Sequence, residues 1–270
     1  MADDDERAPS REVREARVDV GQALRDAARR WAETRPKIGV LFSGGLDSSL
    51  TALLLSPHAA VSLWTLGLPN SKDLPDARSG AVALGLPLHE ILFSAPDVRE
   101  VLALPRAGWA DPREPGRSVR LSLFLALRGC GETNLSLGQG ADELFYGYAR
   151  YARLDGPAAI AAASSDYLRL IDEDWPWTAG IAVSLGKEVG SIFLDPEVAR
   201  RARRLPPPAT MLGEPPKAHL RAIARSLGLA PQLAERPKRA LQYGTGIERL
   251  VRREATSHRR EPRGREPRSG

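Results

Sequence analysis

Apolar positions along the chain follow two periods, and the alternation between these periods predicts an α/β fold. Residues 12–33 carry apolar side chains at helical spacing. Four short apolar runs predict buried parallel strands at 37–42, 60–66, 88–93 and 133–137. Helices are predicted after these strands, at 50–55, 73–85, 96–104 and 118–128. Strands that alternate with helices form a parallel sheet covered on both faces, so we predict a doubly wound α/β fold.

The second half of the chain carries no further strand pattern. Between residues 156 and 250 the sequence predicts helices alone, at 157–172, 195–204, 216–227 and 247–254. We therefore divide the chain into a disordered head (1–17), an α/β core (18–152), a C-terminal helical lobe that completes the active site (153–251) and a disordered arginine-rich tail (252–270).

Composition narrows the classes of function. The chain has 270 residues, of which 42% are hydrophobic and 27% charged, as in ordinary globular proteins. Its one cysteine, Cys130, excludes an intramolecular disulfide and a cysteine-built zinc site, and we interpret it as a small buried apolar residue. No apolar run has the length of a membrane helix, and the acidic start is unlike a secretory signal. We therefore expect a cytoplasmic protein without a membrane partner.

The net charge of +5 is concentrated in the tail, where residues 252–270 hold seven arginines and three acidic residues. Such a segment could contact nucleic acid or an acidic partner. It lacks the aromatic residues on which single-stranded nucleic acid stacks. We therefore interpret the tail as a solubilising end and do not expect nucleic acid as a partner.

The segment Ser43-Gly44-Gly45-Leu46-Asp47-Ser48-Ser49 follows the first strand directly and opens a helix. Glycines allow a close approach of the backbone to an anion, and a helix start offers unpaired N–H groups to a phosphate. A carboxylate in this place, that of Asp47, fits a phosphate site if a divalent cation bridges the two. The simpler alternative is a glycine-rich turn with a Ser/Asp helix cap.

A second acidic segment follows the fourth strand: Gly138-Gln139-Gly140-Ala141-Asp142-Glu143. Ligands of open parallel sheets bind outside the carboxyl ends of the strands, where both Asp47 and Asp142 are expected. The two carboxylates could therefore face one metal–triphosphate complex. The alternative is that Asp142 and Glu143 only stabilise the start of a helix.

These motifs resemble those of a known family. The loop at 43–49 resembles the signature of the PP-loop ATP pyrophosphatases, which share an adenine nucleotide α-hydrolase fold. Residues 137–148 are similar to the S-G-E-G-x-D-E-x-F-G-G-Y motif of the synthetase domain of asparagine synthetases. Further segments match the family in order, at 67–73, 188–195 and 236–246. The likeness covers about residues 20–250 and predicts a stand-alone synthetase domain.

The resemblance implies an ATP-dependent, AMP-forming carbon–nitrogen ligase. Such an enzyme adenylates a carboxylate, for which aspartate is the first candidate, releases pyrophosphate, and lets ammonia or another amine displace AMP. The implied catalytic residues are Lys238, Arg120 and Gln139. ATP and Mg²⁺ are the implied cofactors, and Asp47 and Asp142 the implied ligands of the metal. The expected ATP-binding residues are Leu41, Ser43, Gly44, Gly45, Leu46, Asp47, Ser48, Ser49, Gly67, Leu68 and Gly138.

The chain departs from the family pattern in two places within these motifs. Gln139 stands where the family usually has glutamate, and a glutamine can hydrogen-bond but cannot accept a proton. Gly190 and Ile192 replace an arginine and a proline of the family segment E-V-R-x-P-F-L-D. These departures predict an altered rate or an altered substrate.

The start of the chain also differs, because Ala2 occupies the position of the family's glutaminase nucleophile. We therefore expect no fused glutaminase domain, and ammonia would be used directly or supplied by a separate glutaminase subunit. A homodimer stays open, since family members are often dimers. Two alternatives to a ligase also stay open: a non-catalytic ATP-binding subunit or sensor, and a PP-loop enzyme that acts on tRNA.

Overall fold

The computed structural model describes residues 9–71, 73–104, 116–207, 215–237 and 245–257. Within these ranges, five strands form one fully parallel sheet in the order β3-β2-β1-β4-β5. The strands are β1 (Lys37–Leu41), β2 (Ala60–Gly67), β3 (Leu88–Leu92), β4 (Asn134–Ser136) and β5 (Glu188–Gly190). The central strand β1 has β2 on one side and β4 on the other. The strand order therefore reverses at β1, which confirms the predicted doubly wound fold.

The helices lie on both sides of this sheet. The first six are α1 (Arg11–Ala32), α2 (Leu46–Leu55), α3 (Asp73–Leu84), α4 (Ala95–Ala103), α5 (Arg117–Gly129) and α6 (Ala141–Leu144). The others are α7 (Gly156–Arg169), α8 (Trp175–Ser184), α9 (Pro196–Ala202), α10 (Ala218–Ser226), α11 (Pro231–Ala234) and α12 (Ile247–Ser257). A π-helical turn at Leu170–Asp174 joins α7 to α8.

Two apolar cores hold the helices against the sheet, one on each face. Successive side chains of a strand point to opposite faces, and in β2 Leu63 joins one core while Trp64 packs against the other. The first core contains apolar residues of α1, α2, α9, α10 and α11. The second contains those of α4, α5, α8 and α12. The lobe therefore contributes to both faces of the α/β core and does not pack as a separate body.

The structure corrects the prediction that residues 153–251 are helical only. Glu188–Gly190 form β5, which pairs in parallel with β4 at the edge of the sheet. The sequence of β5, Glu188-Val189-Gly190, contains only one large apolar side chain, so no apolar run marks it as a strand. The register aligns Leu135 with Val189, so the lobe completes the sheet beside the second acidic segment.

Both predicted disordered ends are too long. Helix α1 already begins at Arg11, where the Ser10 hydroxyl accepts a hydrogen bond from the Val13 backbone, so the boundary at residue 17 falls inside a capped helix. Helix α12 continues to Ser257, past the predicted boundary at residue 252. An ion pair between Glu248 and Arg252, one helical turn apart, stabilises this end. The rest of the tail lies outside the described residues.

Cys130 ends α5 and is buried, as the sequence predicts. Burial raises the pKa of its thiol to about 11, so the neutral form prevails at neutral pH. Among the described helices, none combines the length and the apolar character that a membrane crossing requires.

Candidate active site

A cavity of about 430 Å³ lies at the carboxyl ends of the strands, where the strand order reverses. Its wall includes side chains from the core and from the lobe. Ten residues predicted for the site line it: Leu41, Ser43, Gly45, Leu46, Asp47, Ser48, Arg120, Gly138, Gln139 and Asp142. The fold therefore brings residues that are far apart in the sequence to one place.

The loop at 43–49 is folded back on itself. The Ser48 hydroxyl accepts a hydrogen bond from the Ser43 backbone N–H at 3.3 Å and donates one to the Gly45 carbonyl at 3.3 Å. Gly44 has φ +72°, and a Cβ on it would lie 2.5 Å from the Asp76 carbonyl oxygen. A side chain at this position would therefore strain the backbone and clash with α3.

Arg236 fixes this loop from the lobe. Its Nη1 donates to the carbonyl oxygen of Gly44 at 2.8 Å and to that of Asp76 at 2.6 Å. One guanidinium thus joins the phosphate loop to the first turn of α3. Arg236 also lines the cavity, so it places a positive charge beside the proposed phosphate site.

The centre of the site is a buried ion cluster of two carboxylates and one ammonium. Lys217 Nζ lies 2.5 Å from Asp47 Oδ2 and 2.9 Å from Asp142 Oδ1. The lysine side chain is only 3% exposed, whereas the carboxylates are 25% and 21% exposed. Burial alone would lower the pKa of the Lys217 ammonium, but the two carboxylates outweigh burial and raise it. The lysine is therefore a cation at neutral pH.

Two features of the backbone make room for this cluster. Lys217 has φ +63°, in the left-handed region that non-glycine residues seldom adopt. A Cβ on Gly147 would lie 2.0 Å from Asp142 Oδ1 and 2.2 Å from Lys217 Cε. The ion cluster therefore requires glycine at 147, and Lys217 reaches the carboxylates from a left-handed backbone.

Gln139 also lies in the cavity wall, where the family usually has a glutamate. Its backbone oxygen accepts a 2.7 Å hydrogen bond from Ser191, which fixes this turn against β5. Its side-chain oxygen is buried and has no hydrogen-bond partner among the described residues. An unsatisfied buried amide of this kind is a candidate for contact with a substrate donor.

A buried carboxylic acid and phenol lie next to the ion cluster. Tyr148 Oη donates to Glu143 Oε1 at 2.6 Å, and both residues line the cavity. Burial raises the pKa of Glu143, although the Tyr148 hydrogen bond opposes the shift. Burial, and the charge of Glu143 after it, raise the pKa of Tyr148. Glu143 belongs to the second acidic segment, but its sequence did not mark it as a site residue, and stabilisation of a helix start was the alternative role.

Another part of the cavity wall contains an arginine whose guanidinium lies over a tryptophan ring. The Arg120 guanidinium lies 5.3 Å from the ring centroid of Trp177, and its Nη2 lies 3.6 Å from Asp174 Oδ1. All three residues line the cavity. A guanidinium held in this way can bind a carboxylate with two donors.

Several predicted site residues do not lie in the described wall. Gly44, Ser49, Gly67 and Leu68 are absent from it, and Thr65 and Leu66 line it in the second-strand region instead. Lys238 lies outside the described residues, although Arg236 and Pro237, which precede it, line the cavity. The roles of these residues stay predictions.

The segment at 188–195 packs the fold and lies away from the cavity wall. Glu188 pairs with Arg35, and Asp195 caps α9 through the backbone N–H groups of Glu197 and Val198. A Cβ on Gly190 would lie 2.6 Å from the Trp31 ring, so the indole occupies the space that a larger residue would need. The departure at Gly190 is therefore explained by packing against α1.

Lys217 lies at the centre of the site, and no motif in the sequence predicted it. One signal was available, because lysine is rare in this chain: five of the 39 basic residues are lysines, and the others are arginines. The ammonium of lysine is a compact charge that suits a narrow position between two carboxylates, whereas a guanidinium does not.

The donor set around Lys217 fits a divalent cation. Asp47 and Asp142 come from the first turns of α2 and α6, and their oxygens converge on one point, which the ammonium holds. Mg²⁺ typically takes one or two protein carboxylates and completes its shell with phosphate oxygens and water. The described residues contain no group of three or more His, Cys, Asp or Glu side chains that could hold a metal ion.

A glycine-rich phosphate loop on a doubly wound sheet defines a nucleotide-binding α/β protein. Within that class, residues 19–188 match the family model of asparagine synthase. The match covers more than half of the chain, and the protein belongs to the asparagine synthase family. This confirms the family that the motifs predicted.

Curated relatives agree with this family. The chain is 28% identical to a protein of Methanocaldococcus jannaschii assigned as glutamine-hydrolyzing asparagine synthetase 1, over 89% of the chain and 52% of the relative. It is 26% identical to the glutamine-hydrolyzing asparagine synthetase of Rattus norvegicus, over 87% of the chain and 45% of that protein. The chain thus spans about half the length of the curated relatives it matches.

Among solved structures, a predicted subunit of a tRNA methyltransferase from Methanocaldococcus jannaschii aligns with 76% of the chain and 94% of its own, at 16% identity and a TM-score of 0.39. A likeness this weak carries no argument about function. The tRNA-acting alternative therefore gains no support from it.

Proposed function

We propose that the protein is an AMP-forming amide synthase that adenylates a carboxylate with ATP and transfers the acyl group to ammonia. The observation that carries this proposal is the convergence of Asp47, Asp142 and Lys217 beside the loop at 43–49, in a chain of the asparagine synthase family. Aspartate is the first candidate acid, with ammonia used directly or supplied by a separate glutaminase subunit.

The loop and the lobe provide positive charge where the reaction builds negative charge. Backbone N–H groups at the start of α2 suit phosphate oxygens, and Arg236 adds a guanidinium that is already fixed by two hydrogen bonds. Donors oriented before the reaction stabilise a developing charge more strongly than mobile ones. Lys238, two residues further on, would add a second cation. Mg²⁺, held by Asp47 and Asp142, would neutralise the charge of the triphosphate.

The acyl substrate belongs on the opposite side of the cavity. There Arg120 would hold a carboxylate of the acid, while Trp177 excludes water from the reacting atoms. The attacked atom is the α-phosphorus: the P–O bond to the β-phosphate breaks, and pyrophosphate leaves. Ammonia then attacks the acyl carbon, AMP leaves, and a proton is lost from nitrogen. Gln139 would orient the amine through its unsatisfied oxygen, since it cannot take that proton.

A nucleotide product analysis tests the proposal. The purified protein is incubated with ATP, Mg²⁺ and ammonium, with and without aspartate, and AMP, ADP and pyrophosphate are separated. We expect AMP and pyrophosphate in equal amounts, dependent on the acid. Asp47→Asn should reduce the rate at least about a hundredfold, while Asp26→Asn, on the outer face of α1, should leave it unchanged. ADP as the product, or normal turnover by Asp47→Asn, would refute the assignment.

A second candidate function is a non-catalytic ATP-binding subunit, which the glutamine at 139 favours. Binding of ATP without any AMP would support it. In that case Gln139→Glu is the informative variant, because it restores the proton acceptor of the family. Production of AMP by this variant alone would show that the wild-type site binds ATP but has lost the reaction. A cytoplasmic location and a homodimer stay predictions.

A further inference from the structure

We infer that Lys217 occupies the divalent-cation position itself, so that Asp47 and Asp142 accept a divalent cation only when a nucleoside triphosphate draws the ammonium away. The inference rests on the proposed function for the identity of the nucleotide. In this site the Lys217 ammonium serves as an internal cation, and a bound metal and this ammonium exclude each other.

Lys217 and a divalent cation compete for the same two oxygen atoms. Lys217 Nζ already contacts one oxygen of each carboxylate, at 2.5 Å and 2.9 Å. A divalent cation that bridges the same two oxygens cannot be there at the same time, because the ammonium would lie inside its first coordination shell. Binding of the cation therefore requires that the lysine side chain leave.

Moving the buried ammonium away from the carboxylates costs free energy. Lys217 is 3% exposed, so its ammonium has almost no water to replace the carboxylates. Breaking a buried ion pair without a new partner is strongly unfavourable. Phosphate oxygens of a nucleotide in the adjacent loop are a new partner of the right charge. Without these phosphate oxygens, the ammonium would stay close to the incoming cation, and the two positive charges would repel each other.

The surroundings of Lys217 are shaped for the lysine. Gly147 leaves room for both Asp142 and the Lys217 side chain, since a Cβ there would collide with each. The Arg221 guanidinium, 4% exposed, donates to the carbonyl oxygen of Pro216 at 2.9 Å, next to the strained Lys217 backbone. The chain thus maintains the left-handed turn that aims Lys217 at the carboxylates.

An ammonium between the carboxylates avoids both their mutual repulsion and a permanently bound metal. Without a cation, two carboxylates at the same point would repel each other. A permanently bound metal would occupy the position between the carboxylates, so Lys217 could not return to it. An internal ammonium keeps the two carboxylates convergent, and it leaves the position open to a cation that arrives with the triphosphate.

The test uses Mn²⁺ as the probe, with the free ion followed by electron paramagnetic resonance. Wild-type protein should bind Mn²⁺ weakly alone and about tenfold more tightly, or better, with α,β-methylene-ATP. Lys217→Met should bind Mn²⁺ without nucleotide about tenfold more tightly, or better, than wild type. Lys37→Met removes an exposed lysine and serves as the matched control.

A second variant, Lys217→Gln, covers the case in which the methionine variant fails to fold. Its amide can still donate to a carboxylate but carries no charge, so the same gain in Mn²⁺ affinity is expected. Thermal unfolding adds a second readout, because Mn²⁺ should raise the midpoint of both neutral variants more than that of wild type.

The outcomes separate this inference from the proposed function. Mn²⁺ affinity in Lys217→Met and Lys217→Gln that equals wild type would overturn the inference, whatever the nucleotide results are. Tight Mn²⁺ binding by wild type without nucleotide would overturn it too. Wild type that binds Mn²⁺ no better with α,β-methylene-ATP would also overturn it, because the triphosphate would then not displace the ammonium. The proposed function is tested separately, by the formation of AMP and pyrophosphate.

Discussion

Two ion clusters in this protein have mirrored charges and opposite surroundings. In the active site, Lys217 lies between two carboxylates and is 3% exposed. On α9, Glu197 lies between two guanidiniums, those of Arg200 and Arg201, with 2.6 Å contacts to each. There the side chains are 37%, 62% and 27% exposed. The number of charges and the distances are alike, and only burial differs.

The comparison shows that burial, and not the number of contacts, sets the energetic weight of an ion cluster. Water screens the α9 cluster, and exposed ion pairs typically contribute less than about 1 kcal/mol. The active-site cluster has little water to compensate a lost partner, and breaking a buried pair typically costs about 3–5 kcal/mol. The buried cluster is therefore sensitive to its neighbours, whereas the exposed cluster is not.

The largest expected effect comes from crowding the buried cluster. In Gly147→Ala the new Cβ would lie 2.0 Å from Asp142 Oδ1, so Asp142 and Lys217 must separate. We expect a loss of about 3–5 kcal/mol in the free energy of unfolding, measured by urea denaturation, together with loss of AMP formation.

Gly180→Ala is the matched control for this substitution. Gly180 lies inside α8, and a Cβ there meets nothing within 4 Å. Alanine should stabilise the helix by about 0.5–1 kcal/mol. If both variants changed stability alike, crowding of the ion cluster would not be the cause.

An intermediate effect is expected from the arginine that supports Lys217. Arg221 donates to three backbone carbonyl oxygens, those of Pro216, Ala234 and Arg236. Arg221→Met would leave these carbonyls without this donor and free the turn at Lys217. We expect a loss of about 2–3 kcal/mol in chemical denaturation and a raised KM for ATP.

Arg225→Met is the control for Arg221, because Arg225 lies on the same helix and is 48% exposed. It should change the unfolding free energy by less than about 1 kcal/mol and leave the KM for ATP unchanged. Equal losses in the two variants would contradict the importance of burial in this comparison.

The smallest effect concerns the exposed cluster and appears only in acid. Hydrogen bonds from Arg200 and Arg201 lower the pKa of Glu197 from 4.5 to about 2. Folding therefore favours the ionised form, so the stabilisation is complete above about pH 4.5 and is lost as the pH falls towards 2. The Tm difference between wild type and Glu197→Gln should shrink over this interval. A difference that stays constant with pH would show that Glu197 does not act through its charge.

The local pattern of apolar residues was enough to predict the strands that lie in a run of several apolar side chains. The strands at 37–42 and 60–66 were predicted from apolar runs, and the structure has them at Lys37–Leu41 and Ala60–Gly67. The loop at 43–49 was predicted from its glycines and its place between strand and helix. Strand β5 was missed, because Val189 is its only large apolar residue and its pairing with β4 is a long-range contact.

The site was predictable only where a motif marks it. Asp47 and Asp142 each lie in a recognisable segment, and the rule that strand ends share an edge predicted that they meet. Lys217 lies in no such segment, and its neighbours in the sequence are two prolines and an alanine. The sequence alone did not explain why residue 147 is a glycine. The atoms that need the space belong to α6 and to the turn before α10, which meet only in the fold.

The sequence by itself determined the class of fold, the family and the two carboxylates, because these depend on periodicity and on local motifs. The tertiary structure alone decided which cation stands between those carboxylates. That choice depends on a lysine 170 residues from Asp47 along the chain, held by a strained turn and a buried arginine. No local preference encodes such a contact, since its energy comes from the removal of water around charges that meet only in the folded protein.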